Sequence, residues 1–237
     1  MEHTAARLRE LLREAAEPGF QSTQQGFSRE RLRSLGVRTP HIRALAKAAA
    51  REYRSQRLAW SQILEIAEQL WRGEFSEEHF LAIEVLSCFR SRLGAPDWKR
   101  LSRWIDLISN WAETDGLSIY LLAPILSREP ERIRRLRSWT RSRNRWRRRA
   151  AAVALVPLAR RGAHWKEVAA ICDRLAADRD DLIEKAIGWL LKEASRTRPT
   201  QVVEYLLKNR ARLSPTTLRY AGQKLPERLR ARVLQCP

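Results

Sequence analysis

The chain has 237 residues, with 46 Lys and Arg against 27 Asp and Glu, for a formal net charge of +19. Hydrophobic residues make up 44%, enough for a sizeable core and too many for wholesale disorder despite 31% charged residues. Three widely spaced cysteines (Cys88, Cys172, Cys236) and four scattered histidines (His3, His41, His79, His164) form neither a disulfide framework nor a metal-ligand set, so no metal and no cofactor is expected.

Gly and Pro punctuate the chain at Pro18-Gly19, Gly36 to Pro40, Gly73, Gly94 to Pro96, Pro130, Gly162, Pro199 and Pro215. Between these marks the apolar spacing is helical, predicting helices over Pro40 to Arg51, Ser61 to Leu70, Glu77 to Phe89 and Trp98 to Ser109. Trp165 to Leu175 and Asp181 to Ser195 follow the same rule; the latter carries Leu182, Ile183, Ala186, Ile187, Leu190, Leu191 and Ala194 as one stripe. No segment alternates with period two, so the fold is expected to be all-α. The longest apolar run, Ala150 to Ala159, is too short to cross a bilayer, and Met1 to Glu10 lacks the apolar stretch of a secretory signal. A cytoplasmic, nucleoid-associated protein without membrane attachment is the expectation.

A period emerges when the helix starts are aligned. Ser76, Asn110, Asn144, Asp180 and Ser214 each open a helix, and most have a polar or charged residue five positions on and a small one after it. Their near-constant spacing of 34 to 36 residues describes an α-solenoid of helical-hairpin repeats, of HEAT or armadillo type. The fifth positions read Leu81, Asp115, Arg149, Lys185 and Arg219. Equivalent positions on successive helices line one face, so the three bases are placed to follow a phosphate backbone. Arg outnumbers Lys 39 to 7, and its planar fork suits phosphate oxygens, which favours nucleic acid over anionic membrane as the partner. Asp115 is the anomaly in that row: it serves either as a salt-bridge partner of Arg149 or as a catalytic carboxylate. Trp111 shares its face at four residues' distance, and Trp189 stands four beyond Lys185. Trp60, Trp71, Trp98, Trp104, Trp139 and Trp165 sit where an amphipathic core takes them.

Ser109-Asn110-Trp111-Ala112-Glu113-Thr114-Asp115 and Glu184 to Glu193, with Ala186-Ile187-Gly188-Trp189 at its centre, resemble the AlkD-type alkylpurine DNA glycosylases. So do Leu35-Gly36-Val37-Arg38-Thr39-Pro40 with Arg43, and Trp146 to Ala151, in collinear order between about residues 20 and 220. The resemblance implies one domain, 1–237, a curved stack of HEAT-like repeats with duplex DNA against a basic concave face. It further implies a monomeric, monofunctional enzyme that releases cationic purines alkylated at ring nitrogen 3 or 7, without a tight base-flipping pocket. Bulky adducts of DNA-alkylating antibiotics are admissible substrates. By the same resemblance Asp115 is the catalytic carboxylate, Trp111 and Trp189 contact the lesion-bearing nucleotide's backbone, and Arg149 contacts DNA. Phe27 falls where a Tyr is expected, and Lys192 where an Arg is. Further DNA contacts are expected from Arg38, Thr39, Arg43 and Lys47, and from Lys185, Lys192 and Arg219; Thr39 is also a candidate N-cap. The alternative is a non-catalytic HEAT-repeat protein that binds damaged or branched DNA.

Overall fold

The computed structural model describes residues 4–17, 19–20 and 33–234; Phe27 lies outside them. Among the described residues every element is helical, as the periodicity requires. The chain falls into two compact units, Met1–Pro124 and Ile125–Pro237.

The first unit contains α1 (Ala5–Glu14), α2 (Thr39–Ser55), α3 (Trp60–Trp71), α4 (Ser76–Ser87), α5 (Trp98–Trp104) and α6 (Trp111–Gly116). Helix α4 is its centre. It packs on α2, α3 and α6, and Leu81, Ala82, Ile83, Val85 and Leu86 are buried around its circumference. A helix buried this deeply must satisfy its acids within the protein, and Glu77, Glu78 and Glu84 all accept hydrogen bonds. The predicted helix over Trp98 to Ser109 stops earlier, at Trp104. Ile105–Leu107 tighten into a 3-10 turn and Ile108 is extended, because Asn110 must be extended to cap α6.

Past Gly116 the helix widens into a π segment, Leu117–Leu122, and resumes as α7 (Ala123–Arg128), inside which the chain leaves the first unit. Pro124 accounts for the widening. It has no N–H for the carbonyl four residues back and its ring presses against that carbonyl, and a wider turn relieves both problems.

The second unit adds α8 (Ile133–Trp139), α9 (Arg145–Val153), α10 (Val156–Arg160), α11 (Trp165–Leu175), α12 (Asp181–Ala194), α13 (Pro199–Lys208), α14 (Pro215–Gly222) and α15 (Glu227–Leu234). Helices α9, α12 and α14 pack side by side in one layer; α8 and α11, then α13 and α15, make a second. The period is written in the bonds between repeats. Trp71 Nε1 donates to the Trp104 carbonyl at 3.2 Å and Asn110 Nδ2 to Ser76 Oγ at 3.1 Å, 33 and 34 residues away. Arg145 reaches Asp180 at 2.7 Å and Thr217 Oγ1 the Glu184 carbonyl at 3.0 Å, 35 and 33 residues away. Within each unit these bonds tie a helix to its counterpart one repeat on, as a helical-repeat fold demands.

Asn110, Asn144, Asp180 and Ser214 all cap their helices through the side chain. Ser76 does not. It is the first helical residue of α4, and its hydroxyl is donated instead to Glu113 at 2.8 Å. Thr39 likewise is the first residue of α2; Arg38 holds the cap position without a side-chain bond.

Candidate active site

Asn110 Oδ1 accepts the Glu113 N–H at 3.0 Å, which starts α6 and sends alternate side chains in opposite directions. Glu113 and Thr114 are fully buried, whereas Trp111 is 39% exposed and Asp115 is half-buried. The helix therefore separates duties. One side anchors, and the other presents the indole and the carboxylate one turn apart.

The anchor is a buried ion pair. Glu113 accepts from the Ser109 N–H at 2.9 Å and from Ser76 Oγ at 2.8 Å, and His79 Nδ1 stands 3.1 Å from its Oε1. The other ring nitrogen of His79 faces the Gly73 carbonyl at 3.2 Å. Oxygen atoms stand opposite both ring nitrogens, an arrangement that favours the protonated ring beside a Glu113 carboxylate. Burial alone opposes both charges, but the mutual bond prevails: the Glu113 carboxyl pKa is lowered and the His79 pKa raised. His79 also stacks on Trp71 at 4.6 Å, and Trp71 on Trp104 at 4.7 Å. These shifts set the pH response of the fold. Stability from Glu113 is present above its unfolded pKa and lost as pH falls through the lower folded value. That from His79 is present below its unfolded pKa and lost as pH rises through the higher folded value. The thermal midpoint followed by circular dichroism is expected to be highest between these limits and to fall on both sides.

Around Asp115 the surface is unusual. The exposed large hydrophobic side chains among the described residues are Leu107, Trp111 and Tyr120, all within eight residues of it. Trp111, one turn before Asp115 on α6, sets an exposed indole on the carboxylate's own face of the helix. Tyr120 was invisible in the sequence pattern because it lies in the π segment, where residues five apart, rather than four, come into line. Nearby Arg43 donates to Glu84 Oε1 at 3.0 Å.

The DNA contacts expected at the N-terminal end, Arg38, Thr39, Arg43 and Lys47, are all exposed and lie on or beside α2. Their segment is placed by Glu77, whose buried carboxylate accepts the N–H groups of Leu35, Gly36 and Val37 at 2.9–3.2 Å, and Ser34 Oγ at 2.6 Å. Gly36 adopts φ 84°, the left-handed region that glycine enters freely. Arg38 pairs with Glu17 at 2.9 Å and lies over the Phe20 ring.

In the second unit α12 carries Lys185, Trp189 and Lys192, all half-buried, and α14 carries exposed Arg219. Lys185 pairs with Asp181 at 3.3 Å, and Lys192 Nζ donates to Gln223 Oε1 at 3.3 Å above the Tyr220 ring. Arg149 differs from the other members of its column. It is 6% exposed and its Nη1 donates to the Leu182 carbonyl at 2.6 Å, so it ties α9 to the first turn of α12. The two other bases of the column, Lys185 and Arg219, keep more of their surface open to solvent.

The architecture is that of an all-α helical-repeat protein. The chain belongs to the DNA alkylation repair enzyme family, which it matches over residues 8–225. A predicted DNA alkylation repair enzyme from Enterococcus faecalis superposes with a TM-score of 0.79 over 90% of this chain and 97% of its own, at 17% identity. The smu.31 protein of Streptococcus mutans UA159 superposes with a TM-score of 0.56 over 78% of this chain and 100% of its own, at 14% identity. These two likenesses establish the fold. No curated protein matches the chain. Among the described residues no helix is long and apolar enough to cross a membrane, and no group of His, Cys, Asp and Glu is arranged to hold a metal.

Proposed function

We propose that this protein is a monofunctional DNA glycosylase, working as one domain, that hydrolyses the bond between deoxyribose and a cationic alkylpurine in duplex DNA. The observation that carries this reading is Asp115, half-buried on the outward side of α6 amid exposed Trp111, Tyr120 and Leu107. A purine alkylated at ring nitrogen 3 or 7 already bears positive charge, so it departs as a neutral base and needs no general acid. The deoxyribose left behind becomes oxocarbenium-like, as in glycoside hydrolysis. A carboxylate beside it stabilises that cation and orients the attacking water. An exposed indole face adds cation–π attraction of roughly 0.5–2 kcal/mol. Trp189 offers a second indole for the nucleotide backbone, and Lys185, Lys192 and Arg219 neutralise phosphates. Arg149 contributes by fixing the start of the helix that carries Trp189.

Asp115→Asn tests this directly. Binding to a duplex containing N7-methylguanine or N3-methyladenine is expected to be retained, while single-turnover base release falls by on the order of 10²-fold or more. Unchanged release would remove Asp115 from the mechanism. Tight binding of branched duplex with no release of any alkylated base, even by the wild type, would establish the non-catalytic reading.

A further inference from the structure

Residues 132–149 contain ten arginines and no acid, which is more than half of the net charge in eighteen positions. The structure sorts these arginines into two kinds. Several are committed internally: Arg132 pairs with Glu129, Arg145 with Asp180, Arg148 with Asp178 at 2.6 Å, and Arg149 is buried against the Leu182 carbonyl. Arg135, Arg137, Arg141 and Arg143 are different. All four are exposed and, among the described residues, none forms an ion pair; neighbouring Arg134 donates to the Glu131 carbonyl at 3.3 Å and forms none either.

The arrangement follows from how α8 is anchored. Ile133, Leu136 and Trp139 are buried at three-residue spacing, so the positions between them must face outward. The turn after α8 continues the same surface with Arg141 and Arg143. Within the second unit this ledge belongs to the layer of α8 and α11, not to the layer of α9, α12 and α14 that carries Lys185, Lys192 and Arg219. Five guanidinium groups within ten residues repel one another, and among the described residues none of the five has an ion-pair partner. Arg134 to Arg137 rise about 5 Å along the helix and the turn carries the ledge on to Arg143, while a duplex presents about one phosphate charge per 1.7 Å of its axis. Guanidinium forks match phosphate oxygens in geometry as well as in charge.

We infer that the Arg134–Arg143 ledge is a second docking surface for the phosphate backbone of duplex DNA, separate from the surface that carries Lys185 and Arg219. It does not depend on glycosylase chemistry. A protein with two such surfaces can hold two duplex segments at once and pass from one to the other without dissociating.

The test uses unmodified duplex and the variant R135Q/R137Q/R141Q/R143Q, whose four side chains bury nothing. The slope of log affinity against log salt is expected to shrink by about three, near the 0.9 per phosphate contact of B-DNA. In the wild type the dissociation rate of a labelled duplex is expected to rise with the concentration of unlabelled competitor duplex; in the variant it should be independent of competitor. An unchanged salt slope would make the ledge solvated surface and overturn the inference. So would a reduced slope with the competitor dependence intact, since the arginines would then extend the first surface. So would loss of binding to phosphatidylserine vesicles with duplex binding unchanged. Asp115→Asn is expected to keep both the slope and the competitor dependence, so the ledge and the catalytic reading can fail separately.

Discussion

Replacing Glu113 with Ala is expected to destabilise the protein by about 3–5 kcal/mol, the usual cost of removing one partner of a buried ion pair. The loss is larger than that of a surface pair because His79 would keep a buried charge with no counterion, while the Ser109 N–H and the Ser76 hydroxyl would lose their acceptor. In a chain of this length such a loss lowers the thermal midpoint by on the order of 10 °C. Glu113→Gln separates charge from shape. Gln can still accept the Ser109 N–H with its one oxygen, while its amide group takes the place of Oε1 and donates to Ser76 Oγ and to Nδ1 of a neutral His79. The cost should be well below that of Ala, and the pH response should change sign. Wild-type His79 gains protons on folding; in the Gln variant it folds neutral, so stability falls as pH drops through the unfolded histidine value of about 6.5. Thermal melts of the three proteins across pH 5 to 9 would check this, and a Gln variant that kept the wild-type profile would show that the pair is not charged.

The second large effect is expected at Gly188. A Cβ there would lie 2.4 Å from Tyr220 Cβ and 3.1 Å from the Thr217 carbonyl oxygen. Neither atom can swing aside as the end of a flexible chain would, so Gly188→Ala must push α14 away from α12, the most closely packed pair in the second unit. Overpacking of this kind costs about 1–3 kcal/mol. The displacement would also open the bond from Thr217 Oγ1 to the Glu184 carbonyl and part Lys192 from Gln223. Weakened duplex binding together with a lower thermal midpoint is the expected outcome, measured by fluorescence anisotropy and calorimetry. Full stability in the Ala variant would mean that the helices have slack the geometry does not show.

Much of the second unit could be read from the sequence because its determinants are local. Asn144, Asp180 and Ser214 announce helix starts, and the apolar stripe of α12 is buried as its spacing requires. The tryptophans behaved as side chains of their size do: Trp71, Trp98, Trp104 and Trp139 are buried, Trp60 and Trp165 half-buried, and Trp111 is exposed. What stayed hidden depends on partners about one repeat away. Arg149 looks like any other base in its column until the Leu182 carbonyl arrives opposite it. Glu113 reads as an ordinary first-turn acid, and only the position of His79, 34 residues earlier, makes it half of an ion pair. Pro124 lies two residues past the π segment it brings about, and the widening shifts the register of Tyr120 within it, so Tyr120 could not be given a direction.

The division of labour on α6 has an evolutionary corollary. The bonds of Asn110, Glu113 and Thr114 that keep the helix in place face inward, and none of them involves the exposed Trp111. Substitution of that indole is therefore expected to leave the helix where it is. Under the proposed function, a lineage could exchange the indole to admit a different adduct while the inward-facing anchor, and with it the repeat, stays as it is.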